Sequence, residues 1–345
     1  MAEYLYIYGT LLKGEPGNSL LIDCILEEYL SIPGTLYNTG EGYPAAYPAN
    51  GTTARIYGEL YRLPKNKELL LNKLDFYEDT TKEIFKRNII NIDGKDCYIY
   101  SIANPGIFNK DQMISSGSWL EFNRNIKENP ISFAINFEQS HKYYYRYISK
   151  DKTIILHGNN GIIVSAPHAT NHIRLNKYKI YERYTAAISV LMHSLTGASS
   201  LYTNTVSIAD PNYYDHCSYK DCLKEFTSRN TNYFLLDIHG TGEERECDIY
   251  PGIGSNKEFL LGHTEILEDF YRISAKYGIN IGSLDKFPAL KQQTVTKYSA
   301  TQLKIPSMQI EINKKYRKPD NSPEKFLDLV LFIREFLEKI KKRNE

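Results

Sequence analysis

Two histidines and two glutamates in the second half of the sequence are placed where hydrolytic metal sites are usually built. His168 and His239 each follow an apolar run that predicts a β-strand. Glu182 lies near the start of a helical pattern, and Glu311 lies within a further apolar run. Two imidazoles and one carboxylate form a common catalytic zinc set, which leaves a fourth position for water. A second carboxylate that faces this water would act as general base in amide hydrolysis.

Each of these residues also has a purely structural interpretation. His168 and the nearby His172 are both able to cap a helix or bind a carbonyl group, and Asp237 is able to orient an imidazole or cap a helix. An unpartnered buried glutamate is costly, so Glu311 in its apolar strand needs a partner or a chemical role. Taken together, the four positions favour a zinc hydrolase over a set of unrelated structural residues.

Three arginines near these positions are candidates for binding the carboxylate of a substrate. A guanidinium group forms two parallel hydrogen bonds with a carboxylate. The candidates are Arg174, Arg183 and Arg317. The expected partner is therefore a small molecule or a peptide that carries a carboxylate beside the scissile amide, and a glutamyl compound is one candidate.

These motifs resemble the N-formylglutamate amidohydrolase family and, more distantly, zinc carboxypeptidases and poly-γ-glutamate hydrolases, over about residues 155–340. The matching segments are Pro167-His168, Asp237-Ile238-His239-Gly240 and Gln309-Ile310-Glu311-Ile312. The resemblance implies one zinc ion per chain, bound by His168, Glu182 and His239, with Glu311 as the base. Carboxypeptidases usually have the glutamate ligand three residues after the first histidine. This sequence has Asn171 there, so His172 remains a rival to Glu182. Cobalt, manganese or iron are alternatives to zinc.

A second candidate site lies in the first half of the chain. A short apolar run ends at Tyr8-Gly9-Thr10-Leu11. A glycine directly after a strand allows successive backbone N–H groups to bind a carboxylate. Further along, a helical pattern ends at Leu74-Asp75-Phe76-Tyr77-Glu78.

The order of these segments resembles the gamma-glutamylcyclotransferase-like family over about residues 3–105. The Tyr-Gly-x-Leu loop of the family corresponds to Tyr8, Gly9, Thr10 and Leu11, and its Leu-Asp-x-x-Glu segment ends at Glu78. The resemblance implies that the loop holds the α-amino-acid end of a γ-glutamyl group. It also implies that Glu78 is the general acid/base and that the products are 5-oxoproline and an amine. The alternative is a solvated Glu78 in a non-catalytic module that delivers substrate to the zinc site.

The elements that must position these residues differ between the two halves. Strands at 4–8, 31–37 and 54–61, a helix at 65–77 and a hairpin at 85–102 predict a small mixed α+β barrel. Gly42–Pro48 is expected to form a loop. Residues 109–150 are expected to form a junction that contains a short helix near 119–125 and a crossover strand.

The second half of the chain alternates between predicted strands and helices. The strands are at 161–166, 200–206, 233–238 and 307–312, and the helices are at 179–194, 221–229, 257–277 and 322–342. This alternation predicts a three-layer α/β domain with a mixed sheet. The expected domains are 1–108 and 151–345.

The composition limits the classes of function. The chain has 345 residues, of which 42% are hydrophobic and 24% charged, which is typical of globular domains. The 42 basic and 41 acidic residues give a net charge of +1. This argues against broad electrostatic binding to nucleic acid or to an anionic membrane. The first residues do not read as a signal peptide, and no transmembrane helix is expected.

The cysteines favour a reducing compartment. There are five, an odd number, so reduced thiols in the cytoplasm are the simplest expectation. Cys217 and Cys222 lie beside His216, but no second pair follows, which disfavours a zinc knuckle.

Overall fold

Two separate six-stranded sheets organise the chain. The computed structural model describes residues 2–39, 43–78, 85–108, 112–141 and 153–344. The chain divides into Met1–Asn125, here called the N-terminal unit, and Ile126–Glu345, here called the C-terminal unit.

The sheet of the N-terminal unit is curled into a half-barrel with the strand order β3-β2-β4-β1-β6-β5. Its strands are β1 (Tyr4–Ile7), β2 (Ile25–Asn38), β3 (Pro44–Pro48), β4 (Arg55–Arg62), β5 (Phe85–Ile92) and β6 (Lys95–Ile102). Strands β1 and β6 pair in parallel, and the other neighbours pair antiparallel. Helix α1 (Glu68–Tyr77) buries Leu71 and Leu74, and 3-10 turns lie at Pro16–Leu21 and Pro105–Ile107.

Most of the predicted strands in this unit are confirmed, and so is the predicted hairpin turn. Asp93 and Gly94 connect β5 to β6 with φ angles of 48° and 85°, as a two-residue turn between antiparallel strands requires. The expectation of a loop at Gly42–Pro48 was wrong, because β3 occupies Pro44–Pro48. Its prolines are tolerated because β3 is an edge strand of the sheet.

Two consecutive helices follow the N-terminal sheet. They are α2 (Trp119–Glu128) and α3 (Pro130–His141). The crossover strand expected in this part of the chain is absent from the described residues 112–141, and α3 stands there instead. Asn129 and Pro130 explain the helix start, because the Asn129 side chain accepts a hydrogen bond from Ser132 N at 3.1 Å and proline suits the first helical position. Residues 109–111 and 142–150 of the expected junction lie outside the described residues.

The sheet of the C-terminal unit is mixed, in the order β13-β14-β12-β8-β11-β7. Its strands are β7 (Thr153–Leu156), β8 (Ile162–Ala166), β11 (Ser199–Thr203), β12 (Phe234–Thr241), β13 (Ile249–Gly252) and β14 (Ser307–Asn313). The four inner strands run parallel, and both edge strands run antiparallel to their neighbours. A separate hairpin consists of β9 (His172–Arg174) and β10 (Lys177–Lys179).

Helices cover both faces of this sheet. They are α4 (Thr185–Thr196), α5 (Ser218–Arg229), α6 (Glu265–Lys276), α7 (Val295–Tyr298), α8 (Lys314–Arg317) and α9 (Pro323–Asn344). On one face, the Phe234 ring of β12 packs edge-on against Phe336 of α9. On the other face, Leu235 packs with Leu223 of α5 and Val295 of α7. This is the layered α/β arrangement that the alternating pattern predicts.

Two of the predicted helices begin later than expected. The β9–β10 hairpin occupies 172–179, so α4 begins at Thr185, directly after Tyr184 with a φ of 68°. Leu261 and Gly262 have φ angles of 50° and 94° and separate a short 3-10 turn from α6. Strand β13 was not predicted. Among the described helices, none has the apolar length that crossing a membrane would require.

Candidate functional sites

The Tyr8–Leu11 loop follows β1 and is fixed at both ends. The Tyr8 hydroxyl donates to the backbone oxygen of Tyr100 at 2.6 Å. The backbone oxygen of Leu11 accepts from Asn18 Nδ2 at 2.8 Å. Leu11 itself is buried. The loop is therefore held in one conformation by the sheet and by the segment after it.

Two close contacts define the middle of this loop. Gly9 lies against Pro44, and a Cβ atom at position 9 would be 2.8 Å from Pro44 Cγ. The Thr10 hydroxyl accepts a hydrogen bond from the Tyr77 hydroxyl at 3.1 Å. Tyr77 is the last residue of α1, so the helix end and the loop meet at this point.

Glu78 follows Tyr77 directly and lies at the same meeting point. Its backbone N–H donates to Leu74 O at 2.8 Å, which fixes the residue to the end of α1. Burial of the carboxyl group raises the pKa of Glu78 to about 8. Burial is also the main cause of the raised pKa values of Tyr8, Tyr77 and Tyr100, and the nearby Glu78 charge adds to each. The carboxyl group therefore lies close enough to these three tyrosines for its charge to affect their pKa values.

Sequence reasoning missed the partners of the neighbouring acid, Asp75. Its carboxylate accepts from the Tyr100 hydroxyl at 2.7 Å and lies 3.2 Å from Arg87 Nη1. Asp75 therefore connects α1 to β5 and β6. Glu78 has a pKa suited to proton exchange near neutral pH.

In the C-terminal unit, two histidines meet one glutamate. His168 Nδ1 lies 2.9 Å from Glu182 Oε1, and His239 Nδ1 lies 3.1 Å from Glu182 Oε2. One ligand atom from each of these residues lies within 4.8 Å of the other two. This geometry matches the three positions that the sequence analysis selected as zinc ligands.

The backbone explains why these three side chains meet. Strands β8 and β12 are parallel neighbours, with Ser165 opposite Asp237, so both histidines lie at the carboxyl end of the sheet. Glu182 N donates to His168 O at 2.9 Å. Gly240 N donates to Glu182 Oε2, also at 2.9 Å. The chain between β8 and α4 is thereby folded back over the two strand ends.

A second carboxylate lies on the far nitrogen of each histidine. His168 Nε2 is 2.9 Å from Asp210 Oδ1. His239 Nε2 is 3.2 Å from Asp237 Oδ2 and 2.8 Å from the amide nitrogen of Asn212. Asp237 also accepts from Ser165 Oγ at 2.8 Å. Carboxylates in these positions orient the rings so that both Nδ1 atoms face Glu182. Ser165 had not been identified from the sequence.

The ionisable groups of this cluster influence one another strongly. Burial lowers the pKa of His168, but Glu182 and Asp210 raise it to about 9. Burial likewise opposes the charged form of His239, and Asp237 and Glu182 raise its pKa well above the ordinary range. Against the effect of burial, the two imidazoles hold the pKa of Glu182 well below its usual value. The site therefore stabilises positive charge between Glu182 and the two rings.

His172 lies on the other side of His168. The two rings stack with centroids 4.0 Å apart, and His172 Nε2 is 3.4 Å from Asp210 Oδ2. Burial and His168 lower the pKa of His172 to about 4. His168, His172 and Asp210 form a second group with metal-ligand spacing. Arg174 already lies 2.6 Å from Asp210 Oδ2, however, and its charge disfavours a cation there.

Glu311 is held beside this cluster by strand pairing. It lies opposite His239 in the register of β14 and β12. Its Oε1 atom accepts from Gln309 Nε2 at 3.1 Å. Burial raises the pKa of Glu311 to about 7, although the nearby His239 opposes the shift. A carboxyl group with this pKa exchanges protons near neutral pH.

The three candidate arginines differ in their partners. Arg174 binds Asp210, and Arg183 Nε lies 3.3 Å from Glu138 Oε1. Arg317 is 5% exposed, and its Nη1 atom donates to the backbone oxygen of Arg183. Its Nε atom is buried without a hydrogen-bond partner among the described residues. Arg317 is therefore the best placed of the three to bind a carboxylate.

Gly240 makes room for the Arg317 side chain. A Cβ atom at position 240 would overlap the guanidinium group. The two cysteines considered for a zinc knuckle, Cys217 and Cys222, belong to neither of the groups with metal-ligand spacing among the described residues.

Residues 5–121 match the sequence profile of the family described as gamma-glutamyl cyclotransferase, AIG2-like. The match covers the curled sheet, α1 and both motifs of the first candidate site. The prediction of a cyclotransferase-like N-terminal part is therefore confirmed. The amidohydrolase resemblance of the C-terminal unit remains a prediction.

Solved structures resemble different parts of the chain. The solution structure of protein ytfP from Escherichia coli has 29% identity and a TM-score of 0.28, covering 35% of this chain and 98% of that one. An aig2-like protein from Mus musculus has 19% identity and a TM-score of 0.26, covering 32% and 82%. A bacteriophage poly-gamma-glutamate hydrolase has 15% identity and a TM-score of 0.40, covering 60% and 95%. No curated protein matched the sequence.

Proposed function

We propose that the chain is a two-site enzyme, with a γ-glutamyl cyclotransferase in the N-terminal unit and a zinc-dependent amide hydrolase in the C-terminal unit. The family match supports a cyclotransferase-type function for the first site. The observation that carries the finer proposal is the position of Glu78 at the end of α1, where Tyr77 bonds Thr10 of the Tyr8–Leu11 loop and burial raises the pKa of Glu78 to about 8.

In the proposed cyclotransfer, the Tyr8–Leu11 loop holds the α-amino-acid end of a γ-glutamyl amide. Glu78 takes a proton from the α-amine, and the amine nitrogen attacks the side-chain carbonyl carbon. The bond from that carbon to the leaving nitrogen breaks, and Glu78 returns the proton to the departing amine. The reaction is intramolecular, so positioning by the loop supplies much of the rate. The products are 5-oxoproline and the free amine.

The test is the release of 5-oxoproline from a set of γ-glutamyl amides by Glu78→Gln and by a matched control. We expect Glu78→Gln to lose roughly 10²–10⁴-fold in rate, as is usual when a general acid/base is removed. The control is Glu68→Gln, at an exposed position in the first turn of the same helix, and it should retain full activity. An unchanged rate in Glu78→Gln would instead support a non-catalytic binding module.

The donors of the second site fit a zinc ion. Two neutral imidazole nitrogens and a carboxylate are the ligands that catalytic zinc sites use. Both Nδ1 atoms face Glu182, and both far nitrogens lie against carboxylates. His168, Glu182 and His239 would hold the ion. When bound, zinc would supply Lewis-acid polarisation of the scissile carbonyl group.

The residues of the chain then have separate roles in amide hydrolysis. Glu311 takes a proton from the attacking water and delivers it to the leaving nitrogen, which its pKa of about 7 permits. The free Nε of Arg317 binds a substrate carboxylate. The substrate is an N-acyl amino acid, a γ-glutamyl amide or a peptide end. A glutamyl compound would suit both sites of the chain.

The decisive test of the second site is the zinc content per chain, measured by mass spectrometry on proteins purified identically. We expect about one zinc ion in the natural protein and none in His239→Ala, because two remaining ligands bind zinc poorly. The control His263→Ala changes an exposed histidine and should keep its zinc. If the natural protein holds no metal even after zinc is supplied, that result would contradict the proposed zinc-dependent hydrolase. It would leave the cyclotransferase or a scaffold as the function.

A further inference from the structure

A separate cavity of about 430 Å³ opens in the N-terminal unit between β2, β4 and the start of α2. Its walls include Leu12, Leu30, Tyr29, Tyr57 and Ser31, and Glu59 also lines it. The volume suits a small organic molecule. Glu78 does not line this cavity, so its proposed acid/base chemistry does not take place there.

Glu59 is the chemically distinctive residue of the cavity. Its side chain is 1% exposed. Its Oε2 atom accepts from Lys13 N and from the Tyr61 hydroxyl, both at 2.9 Å. Its Oε1 atom has no hydrogen-bond partner among the described residues, and none of their lysine, arginine or histidine side chains forms an ion pair with the carboxylate. A buried carboxylate without a cation is costly, so this one is short of a partner.

The two donors on Oε2 are fixed. The Lys13 donor is a backbone N–H, which cannot turn away. Burial is the main cause that raises the pKa of Tyr61 to about 12, so its hydroxyl stays protonated at neutral pH and continues to donate. The remaining oxygen, Oε1, is therefore the atom that a ligand would meet.

We propose that this cavity binds a primary ammonium group on a short apolar chain, with Glu59 Oε1 accepting its hydrogen bond. Ammonium supplies both the charge and the donors that Glu59 lacks. The rings of Tyr29 and Tyr57 are 65% and 51% exposed and attract a cation. Leu12 and Leu30 contact the carbon chain. A divalent metal is disfavoured, because it prefers several carboxylate or carbonyl oxygens and Glu59 is the one carboxylate among the described residues that line the cavity.

The test is calorimetric titration of the full chain with n-butylamine at neutral pH, with n-butanol and butyrate as comparison ligands. We expect butylamine to bind in the millimolar range and the other two to give no saturable heat. Glu59→Gln keeps an acceptor for Lys13 N and Tyr61 but removes the charge. This variant should lower the affinity for butylamine at least about tenfold, which is the loss expected for a charge-assisted hydrogen bond. Glu28→Gln, an exposed position on β2, should bind as the natural protein does.

A second variant tests the same proposal if Glu59→Gln does not fold. Tyr57→Leu removes a half-exposed ring. It should lower the affinity for butylamine about threefold, because the cation–π attraction is lost. Equal affinity of butylamine for the natural protein and for whichever of these two variants folds would overturn the proposal. Equal affinity for butanol and butylamine would overturn it as well, because the site would then not recognise charge.

Discussion

The two candidate sites use buried carboxyl groups in opposite ways. In the N-terminal unit, burial raises the pKa of Glu78 to about 8. In the C-terminal unit, Glu182 lies between two imidazoles, which hold its pKa well below the ordinary range despite burial. Burial without a cation favours a neutral acid that exchanges protons, whereas imidazole neighbours favour an ionised group that binds a cation.

Glu311 shows both effects inside one site. Burial raises its pKa to about 7, and His239 opposes that shift. Glu182 and Glu311 therefore differ in protonation although both belong to the same cluster. Two neighbouring carboxyl groups whose environments separate their pKa values are typical of a ligand and a general base.

The largest expected effect sharpens this division between ligand and base. Glu311→Gln should lower amide hydrolysis roughly 10²–10⁴-fold, because it removes the proton carrier, while the zinc content stays the same. The measurements are turnover of N-acyl and γ-glutamyl amides, and zinc per chain. Exposed Glu243→Gln is the control. Loss of zinc together with activity would mean that Glu311 is a ligand rather than the base.

A smaller effect is expected when pH is varied and the cyclotransfer rate of the N-terminal unit is measured. Glu78 acts as a base only when ionised, so the rate of 5-oxoproline formation should rise about tenfold per pH unit below its pKa. The rate should level off above about pH 8. The measurement is kcat/KM between about pH 4 and pH 9, a range that spans both the ordinary and the raised pKa of glutamate. A plateau that already begins near pH 5 would show that Glu78 has an ordinary pKa or is not the base.

The carboxylates behind the histidines provide the next prediction. Asp210→Asn keeps the shape of the side chain but removes the charge that orients His168. Zinc affinity should fall about 10–100-fold, as is usual for such partners. Competition with a chelator measures this affinity, and Asp215→Asn, at an exposed position, is the control. Equal affinities in the two variants would show that Asp210 does not support the ligand.

The smallest effect concerns the Tyr8–Leu11 loop. Gly9→Ala would bring a Cβ atom to 2.8 Å from Pro44 Cγ, so the loop or the proline must shift. We expect kcat/KM for cyclotransfer to fall roughly tenfold, because small misplacements of bound substrate are costly. Amide hydrolysis in the C-terminal unit provides the internal control and should not change. An unaltered cyclotransfer rate would mean that the loop does not position the substrate.

The differences between expectation and structure have identifiable physical reasons. Strands with clear alternation or long apolar runs, such as β4 and β12, were predicted nearly to their ends, because half-buried or fully buried strands leave those patterns. Strand β3 was missed because its prolines indicate a loop, and an edge strand tolerates them. The start of α4 was placed too early because the short β9–β10 hairpin has little periodicity of its own.

By itself, the sequence determined which residue types are available, that His168 follows a strand and that His239 lies near the carboxyl end of one. It also determined the cyclotransferase-like motifs of the N-terminal unit, because these are local. The tertiary structure decided which groups meet. It put Glu182, rather than His172, between the two Nδ1 atoms, and Asp210 and Asp237 behind the rings. It also left Glu59 buried without a cation among the residues that the structure describes. Contacts of this kind join segments far apart in the chain, and the side-chain atoms that meet are set by strand register and loop path, which no local pattern encodes.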